Sequence, residues 1–227
     1  MKLTIQTHEP NKDGYELYID GEYLFSVDEE DYIRLQLYDK SEITVEELNE
    51  IKLQIEVRRG IALGLKYALR QRRTSKQVED FLLKNDISTE GVKRVLQYLD
   101  QEKYIDDPDY AKRYIRSKMK TTDKSLNLII TELDQRGIPE EMTVGLTESY
   151  TDMEYDRAYS AVLKRFGSKK LMISVIPEDS DSKGDPFGLE KMTFNEKLKF
   201  KNKLVRFLIY RGYQQDIISE IINKAGL

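Results

Sequence analysis

One apolar spacing occurs three times in this chain, and it restricts the fold more than any other feature. Val78-x3-Leu82-x4-Ile87 returns as Ile129-x3-Leu133-x4-Ile138 and as Leu204-x3-Leu208-x4-Tyr213. The first two positions of each copy are one helical turn apart and share a face. The third lies beyond a turn filled by Lys84-Asn85-Asp86, Gln135-Arg136-Gly137 or Tyr210-Arg211-Gly212. Gly137 and Gly212 suit the left-handed residue that ends many helices. A second apolar series follows each turn, at Val92, Val95 and Leu96, at Met142 and Leu146, and at Ile217 and Ile221. Recurrence of helix, turn and helix at this length marks a helical repeat protein.

With the apolar helix that precedes each copy, the pattern predicts three-helix units over about 56–103, 107–150 and 153–227. The copies start 51 and then 75 residues apart, and the surplus of 24 coincides with a stretch at 168–193 rich in Ser, Asp, Gly and Pro. That stretch reads as an acidic insertion in the third unit, expected to be mobile around 178–188. Within it, residues 171–176 look strand-like. A unit this small cannot bury its apolar faces alone and must stack on its neighbours. The predicted fold class is therefore mainly α, with three tandem three-helix repeats forming an elongated curved body.

Residues 1–55 read differently. Asp20-Gly21 sits between Tyr15-Glu16-Leu17-Tyr18-Ile19 and Glu22-Tyr23-Leu24-Phe25-Ser26-Val27, the arrangement of a tight hairpin turn. Residues 3–7 can add a third strand to this small antiparallel sheet, with a turn at 10–14, and 29–37 a short helix. Thr44 and Glu47 have capping-box spacing, as do Thr74 and Gln77. The apolar series Leu48, Ile51, Ile55, Ala62, Leu65 and Leu69 keeps one helical face, and Gly60 and Gly64 predict a kink or break near 58–60.

The junction Tyr104-Ile105-Asp106-Asp107-Pro108-Asp109-Tyr110-Ala111 joins the first unit to the second. Asp107 is read as the helix N-cap, Pro108 as the first helical residue and Asp109 as first-turn charge. A nuclease-type metal site would need carboxylates from separate elements, and these share one turn. His8 is the only histidine and there is no cysteine, so nucleophilic catalysis lacks a base and thiolate metal sites are excluded. No phosphate-cradling glycine loop occurs. The residues thus predict a protein that is not an enzyme and needs no cofactor or metal. Most tyrosines, among them Tyr67, Tyr98, Tyr104, Tyr110, Tyr114 and Tyr159, fall at helical spacing and are expected to pack.

The net charge of −4 hides an asymmetry: residues 1–55 carry 5 basic and 14 acidic side chains, whereas 56–227 carry 32 and 27. The cations cluster at comparable places in the repeats. Arg70, Arg72, Arg73 and Lys76 gather at the first turn of unit one. Lys112, Arg113, Arg116, Lys118, Lys120 and Lys124 stud unit two. Lys164, Arg165, Lys169, Lys170, the run 197–203 and Arg211 belong to unit three. Recurring cations are what a periodic anionic partner would select. A stand-alone nucleic-acid-binding helical repeat is the rival reading, against which the acidic pI of about 5.4 argues. There is no apolar run long enough to span a bilayer and no signal-like start after Met1-Lys2, which predicts a cytoplasmic protein.

At four places in order the chain resembles the RecX family of RecA regulators. These are Arg72-Arg73-Thr74-Ser75 with Val78 to Leu82, Tyr104-Ile105-Asp106-Asp107-x-x-Tyr110-Ala111, Glu132-Leu133-x-x-Arg136-Gly137-Ile138, and Phe207-Leu208-x-x-Arg211-Gly212-Tyr213. The likeness covers about 58–150 and 195–226, and the amino-terminal sheet is that of longer members. Departures are Thr74 in place of serine, Lys124-Ser125 and Asn85-Asp86 in place of Lys-Gly, and the acidic insertion. The resemblance implies a monomeric protein that binds RecA–single-stranded DNA filaments. It implies lowered RecA ATPase, strand exchange and co-protease activity, with the cations named above facing RecA or DNA.

Overall fold

The computed structural model describes residues 3–7, 14–167 and 185–227. His8, most of the turn at 10–14, the strand-like 171–176, Lys169 and Lys170 lie outside the described residues. The chain forms two compact bodies, residues 1–106 and 107–227.

In the first body, strands β1 (Leu3–Thr7), β2 (Tyr15–Ile19) and β3 (Glu22–Val27) form an antiparallel sheet in sequential order. Asp20 and Gly21 turn the hairpin with φ of 51° and 89°, the primed geometry that matches strand twist. Leu17 pairs with Phe25 but Tyr18 pairs with Tyr23, so Leu24 is bulged. The sheet is not self-sufficient: Leu17 and Val27 bury against Leu37, Ile43, Leu48 and Ile51. The short helix α1 (Glu29–Arg34) is capped by Asp28, whose carboxylate accepts the Asp31 N–H at 2.8 Å. Arg58 ties that region down through ion pairs with Asp28, Glu30 and the buried Asp31.

Helix α2 (Val45–Arg70) starts at the Thr44/Glu47 capping box and runs 26 residues without interruption. The break expected near 58–60 is absent. Gly60 and Gly64 are buried, and a Cβ on them would lie 2.7 Å from Val95 Cγ2 and 2.9 Å from Leu99 Cδ1. Their role is close approach of α4 (Thr89–Gln101), and this packing outweighs the low helix propensity of glycine, about 1 kcal/mol per residue. Between them lies α3 (Ser75–Leu83), started by the Thr74/Gln77 capping box. Val78, Leu82, Ile87, Val92, Val95 and Leu99 form the core these helices share. Because α2 spans position 55, the division expected between 1–55 and 56–103 falls inside one helix.

The second body contains α5 (Asp107–Thr121), α6 (Leu126–Asp134), α7 (Val144–Thr151), α8 (Glu154–Phe166), α9 (Phe194–Tyr210) and α10 (Gln215–Lys224). Ala111, Ile115, Met119, Ile129, Leu133 and Ile138 make one core cluster, and Ala158, Val162, Leu204, Leu208, Ile218 and Ile221 another. Helix α5 begins at Asp107 itself, so Asp106 rather than Asp107 stands immediately before the helix. The Met142 region is a 3₁₀ turn, Glu140–Met142, with the α-helix beginning only at Val144. Part of the insertion expected to be mobile is instead packed: Phe187 and Leu189 are buried against the α8–α10 core. Tyr98 and Tyr104 are exposed rather than packed, while Tyr67 stacks on Phe81 and Tyr110 on Tyr114.

The threefold pattern has one backbone signature. The N–H groups of Ile87, Ile138 and Tyr213 donate to the carbonyls of Leu82, Leu133 and Leu208 at 3.2, 3.0 and 3.2 Å. Asp86, Gly137 and Gly212 precede them in the left-handed region, with φ of 59°, 80° and 82°. This is the closure of a helix by a Schellman-type turn. Asp86 performs it without glycine, since aspartate tolerates this conformation better than most residues.

Candidate partner-binding surface

The densest cationic surface lies on α5. Ala111, Ile115 and Met119 bury one face, and the first turn carries Asp107 and Asp109 while Lys118 and Lys120 end the helix, in keeping with the helix dipole. Lys112, Arg116 and Lys120 are exposed on a neighbouring face, about 100° round the helix from the buried row. They recur every fourth residue and so form a row about 12 Å long. Among the described residues none of the three has a carboxylate partner.

The neighbouring cations are engaged. Arg113 pairs with Asp109 at 2.7 Å, and the Lys118 ammonium lies 5.2 Å from the Tyr114 ring centre. Lys124 is ion-paired to Glu132, which also accepts the Tyr114 hydroxyl at 2.5 Å. Burial pushes the Glu132 carboxyl up, but Lys124 and Tyr114 outweigh it and leave the carboxyl below its ordinary range. Burial and the Glu132 hydrogen bond raise Tyr114. Arg136 completes the cluster, stacked 4.8 Å over Tyr114 and donating to the Glu132 carbonyl.

Helix α8 joins the second repeat to the third at the end of this row. The Arg157 guanidinium donates to the carbonyls of Met119, Thr122 and Lys124, closing the carboxy-terminal end of α5. One turn earlier, the Glu154 carboxylate accepts the Leu126 N–H at 2.9 Å, beside the Ser125 cap of α6. Burial raises Glu154 despite this hydrogen bond and the nearby Arg157. From the other side, Ser125 N–H donates to the Arg211 carbonyl at 2.8 Å and Tyr213 Oη to the Asp123 carbonyl at 3.1 Å. Burial pushes Tyr213 up to about 12. Gly212 is required at this contact, because a Cβ there would meet Leu128 Cβ and Ser125 Oγ at 2.7 Å each.

A cleft of about 230 Å³ lies between the end of α5 and α8, and it brings Lys120 and Lys164 together with Asp123, Asp156 and Arg157. Lys164 pairs with Asp123 at 3.4 Å, and Arg165 is exposed. Arg211 stacks 4.0 Å over Phe207 and is half-buried. In the first body, Arg70 and Arg72 are exposed at the end of α2. Arg73 stacks 4.4 Å over Tyr67, and Lys76 pairs with Glu79 and Asp80 at 3.1 Å each. The cations read from the sequence thus separate into the open row on α5, the exposed Arg70 and Arg165, and a set engaged by carboxylates or aromatic rings. Glu154 and Arg157 had no sequence signal, because their partners are carbonyls and N–H groups about 30 residues away with no periodic mark.

Among the described residues no group of three or more His, Cys, Asp or Glu is arranged to hold a metal ion. Asp106, Asp107 and Asp109 each have a bonding or electrostatic partner. No described helix is long and apolar enough to cross a membrane.

The segment that carries the row, residues 106–142, matches the family model of the second three-helix domain of RecX. Across its length the chain is 30% identical to regulatory protein RecX of Listeria monocytogenes serotype 4b (strain F2365), over 203 residues covering 86% of this chain and 76% of that protein. This chain belongs to the RecX family. The RecX protein of Listeria innocua is 31% identical over 199 residues, covering 85% of this chain and 74% of its own. That of Staphylococcus epidermidis is 26% identical over 220 residues, 97% of this chain and 74% of its own. A crystal structure titled regulatory protein RecX shares the fold with a TM-score of 0.62, 22% identity and 98% coverage of both chains. RecX from Lactobacillus salivarius superposes with a TM-score of 0.57 and 23% identity, over 75% of this chain and 97% of that one. RecX proteins are regulatory by name, and the open row on α5 lies in the segment recognised as theirs.

Proposed function

We propose that this protein binds RecA–single-stranded DNA filaments and regulates them without catalysis, chiefly lowering RecA ATPase, strand exchange and co-protease activity. Membership of a family of RecA regulators supports the partner. The observation that carries the binding surface is the row of Lys112, Arg116 and Lys120, open on the repeat that matches the family model. On this reading the protein acts as a cytoplasmic monomer. The three-helix repeats at about 56–103, 107–150 and 153–227 lie along the filament, and DNA is contacted through it. Arg70 and Arg165 add exposed charge, whereas Arg73, Lys124 and Arg211 are engaged by Tyr67, Glu132 and Phe207.

The test is the ATPase of RecA on single-stranded DNA with this protein titrated in. Inhibition well below one protein per RecA is expected. No effect there and none at equimolar ratio would overturn the reading.

A further inference from the structure

The third repeat departs from the other two in one helix. Positions 75, 126 and 201 are equivalent in the threefold spacing, and α3 and α6 begin at the first two of these. Helix α9 begins seven residues earlier, at Phe194, and is 17 residues long against nine in α3 and α6. The buried N-cap residues Thr74 and Ser125 are replaced at the equivalent place by Phe200. Phe200 anchors the added turns, packing edge-on to Phe166 at 5.6 Å and against Phe187 at 5.7 Å. Its own Thr193/Glu196 capping box starts the extension.

The outer side of this lengthened helix is unlike a solvated face. Phe194, Leu198 and Ile209 are 81%, 48% and 57% exposed. With 100° per residue they fall within about 60° of arc, in a stripe about 22 Å long. Val205 lies in the same arc and packs inward on the core, so the stripe is continuous with it. Parallel to it, beyond Asn195 and Asn202, run the exposed Lys199, Lys203 and Arg206. Among the described residues none of these cations has a carboxylate partner. Apolar side chains of this size are seldom left exposed together without a use.

We propose that the outer face of α9 is a docking surface for an acidic amphipathic helix of a partner protein. Such a helix would set its apolar side on Phe194, Leu198 and Ile209 and its carboxylates toward Lys199, Lys203 and Arg206. Complementary charge decides the sign of the partner. Leu198 and Ile209 give most of the stripe an aliphatic surface, which suits a packed helix. Phe194 and the neighbouring Tyr210, 82% exposed, are rings on which a base could stack, and an oligonucleotide therefore belongs among the probes. This surface is separate from the α5 row and does not depend on RecA being the partner.

The experiment is fluorescence anisotropy of the full chain with a labelled Leu/Glu helix about five turns long, against a scrambled peptide and a Leu/Lys helix. Saturable binding of the Leu/Glu helix alone is expected. It should weaken about tenfold or more in Phe194→Ser with Leu198→Ser, and likewise in Lys199→Glu with Lys203→Glu and Arg206→Glu, the latter variant now taking up the Leu/Lys helix. Circular dichroism checks that helix content is kept, and the charge-swapped pair tests the proposal even if the serine variant unfolds. Equal binding of the scrambled peptide, or no effect of either variant, overturns the proposal. So does wild-type self-association abolished by the serine variant in sedimentation equilibrium, which would make the occupant a second copy. A single-stranded oligonucleotide that binds where the Leu/Glu helix does not, and is lost in the charge variant, overturns it in favour of nucleic acid.

Discussion

The Glu154 carboxylate accepts the Leu126 backbone N–H at 2.9 Å, and the Arg157 side chain on the next turn closes the helix that ends just before it. One face of α8 therefore holds the carboxy-terminal end of α5 and the amino-terminal end of α6. Helix ends leave backbone groups unpartnered, and here the third repeat supplies the partners for the second.

Arg157→Ala should destabilise the second body by about 2–4 kcal/mol, because three carbonyls lose a charged donor at a half-buried site. Arg157→Lys should restore little, since an ammonium cannot span the three acceptors. Urea unfolding followed by circular dichroism measures both.

Glu154 gives a pH dependence of defined sign. Its folded pKa is raised by burial, so the folded state holds the proton more tightly than the unfolded chain. Its contribution to stability is greatest below the ordinary carboxylate range. It declines as pH rises from there through the raised folded value, and is flat above. Glu154→Gln should remove that decline, read as the difference in urea midpoint between pH 4 and pH 7, about the carboxylate range and above it. An unchanged pH profile in Glu154→Gln would refute the assignment.

Gly212→Ala should cost more than about 2 kcal/mol, combining a left-handed φ with a side chain driven against α6. The contrasting case is Gly60→Ala. It gains about 1 kcal/mol of helix propensity but overpacks against Val95. Val95→Ala added to Gly60→Ala should therefore cost less than the sum of the two single changes, as a double-mutant cycle would show.

Lys112→Glu with Arg116→Glu and Lys120→Glu should change stability by less than about 0.5 kcal/mol per site, these being surface positions with no carboxylate partner among the described residues to lose. The same variant should lose inhibition of the RecA ATPase. If phosphates are the contacts, the salt dependence of filament binding should fall by about 0.7 per neutralised contact on single-stranded DNA.

The repeat was legible because its signals are local. Leu82 to Ile87 spans one turn, Thr74/Gln77 and Thr44/Glu47 are four-residue boxes, and Asp20-Gly21 is a dipeptide. Asp86 was harder, since only the structure shows an aspartate doing what Gly137 and Gly212 do. The expected break in α2 failed for the opposite reason. Gly60 and Gly64 look weak in their own helix, and what rescues them, Val95 and Leu99, lies more than 30 residues on. Among the cations, composition alone could not separate Lys120, which is open, from Lys124, which is spent on Glu132. The start of α9 was hidden in the insertion, whose polar composition masks Phe187 and Leu189, two residues of the core.

The unbroken α2 also decides how this chain can be cut. Its first turns complete the sheet's core through Leu48 and Ile51, and its later turns hold α4 through Gly60 and Gly64. A truncation at residue 55 would sever a rod between its two loads. It would take Glu50 from the Arg94 guanidinium, which reaches back to it at 2.7 Å and would keep only Glu90 among the described residues, and leave the new end without a cap. Shortened versions made for crystallography or binding work should keep α2 together with the sheet and α1 that its first turns cover, or else start past Arg70 and rebuild the face that α2 covered.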